Sequence, residues 1–171
     1  RLGGVEPGRV LEPLTGPVWG YRRRARLGVK HVARKGRVLV GFRERSAPFV
    51  ADLHECRVLA PPADRLIDPL AALVGELSIA ARVPQVEVAV AGSDCALVLR
   101  VLDPPTAADL DRLRSFERAE GVRVYLQPGG PATVAPLTPN LEPLRYELGH
   151  FGLAIEFEPT DFIQVNATLN E

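Results

Sequence analysis

Apolar and polar residues alternate in several short stretches of the chain, and a period of two residues is typical of a β-strand with one buried face. The longest such stretch is residues 21–32, in which the odd positions are mainly apolar and the even positions mainly basic. The odd positions include Ala25, Leu27 and Val29, and the even positions include Arg22, Arg24 and Arg26. This pattern predicts a strand that packs one face against a core and carries a row of arginines on the other.

Further strands are predicted where short apolar stretches are bounded by turn residues. Lys35-Gly36 and Gly92-Ser93-Asp94 have the composition of turns between neighbouring strands. The predicted strands cover residues 38–43, 49–53, 85–90, 95–102, 122–127, 144–148 and 153–157. Residues 1–17 are predicted to be extended, and the Pro-rich residues 128–143 to form a surface loop.

Two other stretches repeat their apolar residues at helical spacing. The first is residues 63–77, in which Pro69 must lie in an early turn or kink the helix. The second begins at Thr106, which is followed three residues later by Asp109 in the pattern of a capping box, and Gly121 ends it. The order of these elements predicts an α+β fold, a mostly antiparallel sheet with two helices packed on it.

Composition indicates a globular chain rather than a disordered or membrane-spanning one. The 171 residues are 46% apolar and 25% charged, and no apolar run approaches the roughly 18 residues that span a bilayer. The two cysteines cannot form the dense disulfide pattern of a small secreted protein. We therefore expect a cytoplasmic, monomeric protein without membrane contact.

The formal net charge of zero hides two oppositely charged parts of the sequence. Residues 1–45 contain 12 Lys or Arg and 3 Glu, which gives 12 − 3 = +9, and the remaining residues balance this with −9. Because alternate residues share one face of a strand, Arg22, Arg24 and Arg26 should lie about 6 to 7 Å apart, close to the phosphate repeat of a nucleic acid. This spacing favours binding to a polyanion, although a solvated strand whose arginines pair with the acidic remainder is the alternative.

Aromatic residues near the basic strand would suit RNA in particular. Tyr21 and Phe42 are placed to stack on unpaired bases, which is how single-stranded RNA is commonly held. Arg43 follows Phe42 and adds a further cation. The sequence thus predicts an RNA-binding surface that contains Tyr21, Arg22, Arg24, Arg26 and Arg43.

Candidate catalytic and metal-binding residues are few. The sequence contains no G-x-S-x-G, H-E-x-x-H or G-x-x-x-x-G-K motif. Cys56 and Cys95 are isolated, and a lone cysteine is usually a small buried hydrophobic residue. Four-ligand zinc and iron-sulfur sites need more cysteines and histidines than these residues bring together. The residues alone therefore favour binding over catalysis.

Six motifs, in order over nearly the whole chain, resemble the bacterial 23S ribosomal RNA (uracil-5-)-methyltransferases that carry an iron-sulfur cluster. They are Arg1-Leu2-Gly3-Gly4-Val5-Glu6-Pro7, Trp19-Gly20-Tyr21-Arg22-Arg23-Arg24-Ala25-Arg26-Leu27, Val40-Gly41-Phe42-Arg43, Cys56-Arg57-Val58-Leu59-Ala60-Pro61, Tyr125-Leu126-Gln127-Pro128 and Asp161-Phe162-Ile163-Gln164-Val165-Asn166.

The resemblance implies a position within a larger enzyme. That family has an oligonucleotide-binding barrel, a central domain with a four-iron (4Fe-4S) cluster, and a domain that binds S-adenosylmethionine. By this resemblance, residues 1–158 are the central domain, and residues 159–171 begin the S-adenosylmethionine-binding domain. The chain is accordingly expected to be cut from a longer protein that binds 23S ribosomal RNA.

The resemblance also assigns roles to single residues. Cys56 matches the fourth cysteine ligand of the cluster, with its three partners upstream of Arg1, so this chain alone should hold no cluster. Gln164 matches the glutamine that contacts S-adenosylmethionine near the target base, although a glutamine that caps a following helix is the alternative. Tyr21, Arg22, Arg24 and Arg26 match the part of the central domain that faces RNA.

The family's chemistry adds a cysteine thiolate to C6 of uracil, which makes C5 nucleophilic toward the methyl group. The nucleophile belongs to an S-C-N-P segment and the cofactor to a D-x-F-C-G-x-G-x-F loop, and neither occurs in this sequence. Cys95 lies in an apolar strand that should raise its pKa and keep it unreactive. The resemblance therefore implies an RNA methyltransferase forming 5-methyluridine as the full protein, with no turnover and no bound cofactor in these 171 residues.

Two alternatives remain open on the sequence. One is a freestanding RNA-binding adaptor without enzymatic activity, and the other is a protein-binding module whose basic strand docks on an acidic partner. RNA affinity that falls with salt would separate RNA binding from protein binding.

Overall fold

The chain forms eight strands in a computed structural model, which describes residues 3–4, 6, 8–139 and 141–170. The strands are β1 (Arg24–Val32), β2 (Arg37–Gly41), β3 (Gln85–Ala91), β4 (Asp94–Arg100), β5 (Arg123–Gln127), β6 (Ala135–Pro136), β7 (Leu144–Leu148) and β8 (Leu153–Phe157). The helices are α1 (Ile67–Glu76) and α2 (Ala107–Glu120). The predicted α+β class is confirmed.

Six strands form one sheet in the order β2-β1-β3-β4-β5-β6, and β7 and β8 form a separate hairpin. All neighbours in the sheet are antiparallel except β4 and β5, which run parallel. Parallel strands need a long crossover connection, and α2 supplies it. The prediction of a mostly antiparallel sheet therefore holds with one parallel pair.

The second helix begins as its sequence predicts, whereas the helix predicted over residues 63–77 begins at Ile67, after a 3-10 turn at Ala63–Arg65. Thr106 accepts a hydrogen bond from the backbone N–H of Asp109, and the Asp109 carboxylate accepts one from the backbone N–H of Thr106, which completes the capping box. Gly121 ends α2 in the left-handed conformation with φ 64°. Pro69 is the third residue of α1, within the first turn, where its missing N–H costs no helical hydrogen bond.

Three local predictions change, and one of them is the surface loop predicted over residues 128–143, which contains the short strand β6. Residues 49–53 form no strand, and only a single bridge joins Arg43 and Val50. The sheet strand expected from residue 21 begins at Arg24, with Arg22 in isolated bridges. Arg1, Leu2, Val5 and Pro7 of the predicted extended segment lie outside the described residues, while residues 8–17 contain neither helix nor strand.

The two faces of the sheet bury different clusters. One face packs on α1 and α2 and carries the main core, to which β1 contributes Ala25, Leu27 and Val29. On the opposite face, small and apolar residues pack under the β7–β8 hairpin and Ile163. That second cluster contains Ala89, Ala91, Ala96, Val98, Tyr125, Leu144, Phe157 and Ile163. The arginine face of β1 is continuous with this second, partly covered face.

Residues 43–51 fold back across this second face as a strap over two opposed glycines. Gly28 and Gly41 are direct partners across β1 and β2. A Cβ on Gly28 would lie 2.9 Å from Cγ2 of Val50, and one on Gly41 would lie 2.7 Å from the backbone oxygen of Ala51. The strap takes the place of the predicted third strand. It can approach β1 and β2 this closely because Gly28 and Gly41 have no side chains.

Gly41→Ala is expected to destabilise the fold by about 2 kcal/mol, because the added methyl group meets backbone rather than a movable side chain. The matched control is Gly75→Ala in α1, whose Cβ would lie 3.9 Å from Val38, and which should be stabilising by roughly 0.5 kcal/mol. Urea unfolding of both variants measures the difference. Equal free energies of unfolding would show that the strap does not rest on Gly41.

Candidate RNA-binding surface

The basic residues predicted on one face of β1 do lie on one face, but their surroundings differ. Arg26 is the most open, with 68% of its side chain exposed, whereas the side chain of Arg24 is 16% exposed. Arg22 lies between two other segments, in a parallel bridge with Leu59 and an antiparallel bridge with Asn166. The three guanidinium groups therefore do not form the uniform solvent-exposed row that the alternation predicts.

Arg22 is held mainly by packing. Its guanidinium carbon lies 5.6 Å from the centre of the Phe42 ring, which is within the range of a cation–π contact. Its Nε is buried and has no hydrogen-bond partner in the described part of the chain. Phe42 is thus half-covered by Arg22 and not a free stacking surface.

Glu87 on β3 neutralises part of the charge of Arg24 and Arg26. It lies directly opposite Arg26 in the antiparallel register, and its Oε1 is 2.9 Å from Nη2 of Arg26. Its Oε2 is 3.6 Å from Nη2 of Arg24, whose Nη1 also donates to the backbone oxygen of Pro159. Burial lowers the pKa of Arg24 despite the nearby Glu87 charge. The alternative interpretation, in which the arginines of the strand pair with acidic residues, therefore holds in part. The Glu87 carboxylate pairs with both Arg24 and Arg26.

Arg43 and Tyr21 flank the basic strand at different places. Arg43 is exposed, and no ion-pair partner is found for it among the described residues. Its Cγ would touch a Cβ on Gly28, so its stem lies over β1 beside Arg26. Tyr21 is half-buried and lines a separate pocket with Arg23 and Pro61. The structure therefore brings Arg43 and Arg26 together and leaves Tyr21 apart.

Arg23 is a structural residue that the pattern missed. It lies just before β1, at an odd position that the alternation assigns to the main core, and is only 6% exposed, but its side chain contacts the opposite side of the sheet. Its Nε donates to the backbone oxygen of Gln164 at 2.8 Å, and its guanidinium lies 4.4 Å from the centre of the Tyr146 ring. The sequence did contain a signal for this role, because Arg23 is a charged residue among odd-numbered positions that are otherwise apolar from Tyr21 to Val29. Arg23 joins residues 163–166 and the β7–β8 hairpin to the start of β1.

Gln164 is exposed, while Ile163 beside it is buried. No partner is found for the Gln164 side-chain amide within the described ranges. The helix-capping alternative is not supported, because Asn166, not Gln164, accepts a hydrogen bond from the backbone N–H of Leu169, in a turn. The Gln164 side chain is therefore available to a ligand.

Both cysteines are buried in the main core. Cys95 is 1% exposed, and burial, with a smaller contribution from Asp94, raises the pKa of its thiol to about 12. Cys56 is 8% exposed, at the edge of the core between the exposed Glu55 and Arg57. In the described residues, no three His, Cys, Asp or Glu side chains come together as a metal site. The described residues therefore do not by themselves fit a four-iron cluster.

The fold is similar to part of an RNA uracil-C5-methyltransferase. The crystal structure of Pyrococcus abyssi tRNA (uracil-54, C5)-methyltransferase in complex with S-adenosyl-L-homocysteine matches with a TM-score of 0.59 at 14% sequence identity. The match covers 88% of this chain and 38% of that one. No protein-family model matches the chain.

The chain is also similar in sequence to curated proteins, and these are methyltransferases of 23S rRNA. A protein of Ralstonia nicotianae named 23S rRNA (uracil(1939)-C(5))-methyltransferase RlmD is 52% identical over 170 residues, 99% of this chain. The protein of the same name in Alkalilimnicola ehrlichii is 54% identical over 171 residues. The resemblance to 23S rRNA uracil-C5-methyltransferases is thus confirmed. The chain spans 38% of the length of these relatives.

Among the described residues, neither helix has the length and apolar character needed to cross a bilayer.

Proposed function

We propose that this chain is the central RNA-binding part of a 23S rRNA uracil-C5-methyltransferase that forms 5-methyluridine from S-adenosylmethionine. The single observation that carries the proposal is identity of about half over 99% of the chain to proteins of that name. In this proposal, residues 1–158 form the central domain and residues 159–171 lead into the cofactor-binding domain. The hydrogen bond from Arg23 to Gln164 would hold that connection against β1.

The chain's own contribution is to hold RNA and to place one amide near the methyl donor. Arg26 and Arg43 are exposed cations of this surface that can reach phosphate, although Arg26 shares Glu87 with Arg24. Arg22 and Arg24 support this surface from beneath, while Tyr21 remains a proposed contact in its own pocket. Gln164 offers a neutral donor and acceptor, which adds no charge beside the sulfonium of S-adenosylmethionine.

Cys56 is proposed as one ligand of a four-iron cluster in the longer protein. Its place at the edge of the core would allow a thiolate to face residues contributed from outside this sequence. Four thiolates are the usual ligand set of such a cluster, so three must come from elsewhere.

RNA binding is tested by replacing Arg22, Arg24 and Arg26 with Ala together. Arg26 is the member of the three that can reach phosphate, so the slope of log affinity against log salt for single-stranded RNA should fall by about 0.7. A fall of about 2 would show that Arg22 and Arg24 also contact phosphate. The matched control replaces the exposed Arg112, Arg114 and Arg118 of α2, which removes the same charge from another surface. An equal loss of slope in both variants would contradict a specific surface on β1.

Methyl transfer by the 171 residues alone is expected to be undetectable. Neither buried cysteine can serve as the nucleophile, since Cys95 carries a raised pKa and both lie in the core. Labelled S-adenosylmethionine and a 23S rRNA fragment should yield 5-methyluridine with the full-length protein and none with this chain. If the chain alone formed 5-methyluridine, the proposal that it binds RNA without catalysing methyl transfer would be refuted.

A further inference from the structure

An open polar cleft of about 570 Å³ occupies the half of the second sheet face that the β7–β8 hairpin leaves uncovered. Its floor is a row across three neighbouring strands, in which Gln85 is the direct partner of Arg100, and Arg100 of Gln127. Arg43 of the strap borders one side, and Thr160 and Asp161 border another. A cleft of this volume lies within the range of small-ligand sites and can admit a nucleotide.

Three arginines from separate segments reach this cleft, and their charges are incompletely opposed. Arg26 is largely exposed, and Arg43 has no ion-pair partner in the described part of the chain. Arg100 is oriented by its own contacts, since its Nη1 donates to the backbone oxygens of Gln127, at 3.2 Å, and of Gly129. This leaves its other guanidinium nitrogens available to an anion.

The two carboxylates that line the cleft are already engaged. Glu87 has a side chain that is 12% exposed and lies against its two arginines, and it also accepts a hydrogen bond from Nε2 of Gln85 at 3.0 Å. Asp161 accepts from the backbone N–H of Glu158 at 2.8 Å. The groups that remain to bind a ligand are the Arg43 guanidinium, the other nitrogens of Arg100, the Gln127 side-chain amide and the amide oxygen of Gln85, while Asp161 keeps its negative charge at the rim.

We propose that this cleft binds one nucleotide of a single-stranded RNA segment, with its phosphates on Arg43 and Arg100 and its base edge against Gln85 and Gln127. This inference rests on the proposed function and adds three residues, Arg100, Gln85 and Gln127, that the basic strand does not contain. Guanidinium groups suit phosphate, and side-chain amides suit the donor and acceptor pattern of a base that is not in a duplex.

The phosphate contacts are tested with Arg43→Ala, Arg100→Ala and the double variant, in binding of the 171-residue chain to a short single-stranded RNA and to a duplex of the same length. Each single variant should lower the salt slope by about 0.7 for the single strand, and the double variant by about 1.4. The parent should bind the single strand more tightly than the duplex. Thermal unfolding shows whether each variant is folded. If Arg100→Ala does not fold, Arg43→Ala still tests the proposal, because it removes only an exposed side chain.

The base contacts are tested with Gln85→Ala and Gln127→Ala against homopolymeric RNAs of each base. These variants should reduce the preference among bases and leave the salt slope unchanged. An unchanged slope in the Arg43 variant, an unchanged base preference in the Gln variants, or equal affinity for duplex would each overturn the cleft assignment. If the Arg22, Arg24 and Arg26 variant still lost slope, the proposed function would stand without the cleft, whereas intact slopes in all arginine variants would refute both.

Discussion

If Cys56 is a ligand of the proposed iron-sulfur cluster, Cys56→Ser in the full-length protein should remove that cluster almost completely. A serine oxygen is a poor replacement for a thiolate at iron, and one missing ligand leaves the cluster open on one side. Iron and acid-labile sulfide per chain, together with the visible absorption of the purified protein, measure the loss. In the 171-residue chain the same change should leave the fold nearly unaltered, because the contacts of Cys56 with Asp64 and Leu59 are made by its backbone.

Cys95→Ala is the matched control for this experiment. Cys95 is the other buried cysteine, and it lies within β4, where it packs in the core. Its replacement should cost about 1 kcal/mol of stability through lost packing and leave the iron content unchanged. Full iron retention in Cys56→Ser would instead indicate that Cys56 is only a small hydrophobic core residue.

Local sequence patterns predicted those elements whose determinants lie close together in the chain. The alternation through Leu27 identified the buried face of β1, and the capping box at Thr106 identified the first turn of α2. In both cases, the residues that decide the structure are separated by only a few positions. A single sequence is sufficient for such features.

The composition of the candidate site depends on pairings that local patterns do not contain. Glu87 meets Arg26 across 61 residues because of the β1–β3 register, and the same register sets Gln85 beside Arg100. An isolated sequence assigns no partner to any of these residues. The sequence could therefore predict that Arg22, Arg24 and Arg26 share one face of a strand. It could not predict that Glu87 neutralises part of their charge or that a cleft lies beside them.

The predicted strand at residues 49–53 shows a related limit. Val50 does reach the sheet, where it covers Gly28, but Phe49 is exposed and the segment crosses the sheet as a strap rather than extending it. Alternation records that a residue is buried and not whether its backbone joins a ladder. The two glycines beneath the strap were the available signal, because they mark a close backbone approach.

Asp109→Ala is expected to cause the largest loss of stability among single substitutions outside the candidate site. Asp109 is fully buried, and its carboxylate joins the start of α2 to Ser78. One oxygen accepts from the backbone N–H of Ser78 at 2.8 Å, and the other accepts from the Ser78 hydroxyl and from the backbone N–H and hydroxyl of Thr106. Removing the carboxylate leaves buried donors without an acceptor, which should cost about 3 to 5 kcal/mol.

The measurement is thermal and urea unfolding of the 171-residue chain, in which this loss corresponds to a fall in Tm on the order of 10 °C. The matched control is Asp111→Ala on the same helix, because the Asp111 side chain is 77% exposed and pairs with Arg114 three residues later. An exposed pair of this kind contributes less than about 0.5 kcal/mol. Similar losses in the two variants would show that the Asp109 network does not hold α2.

The pH dependence of stability gives an independent check on the same carboxylate. Burial raises the pKa of Asp109, but the hydrogen bonds from Ser78 and Thr106 outweigh it and lower the pKa below its ordinary value of 3.8. The unfolded chain therefore binds a proton at higher pH than the folded chain does, so this contribution is fully present above about pH 4 and is lost as the pH falls through the folded value. Asp109→Asn has no carboxyl group to titrate at this position, so its free energy of unfolding should fall less steeply below pH 4 than that of the parent chain. If the parent and the variant lose stability in parallel, other carboxylates cause the acid sensitivity.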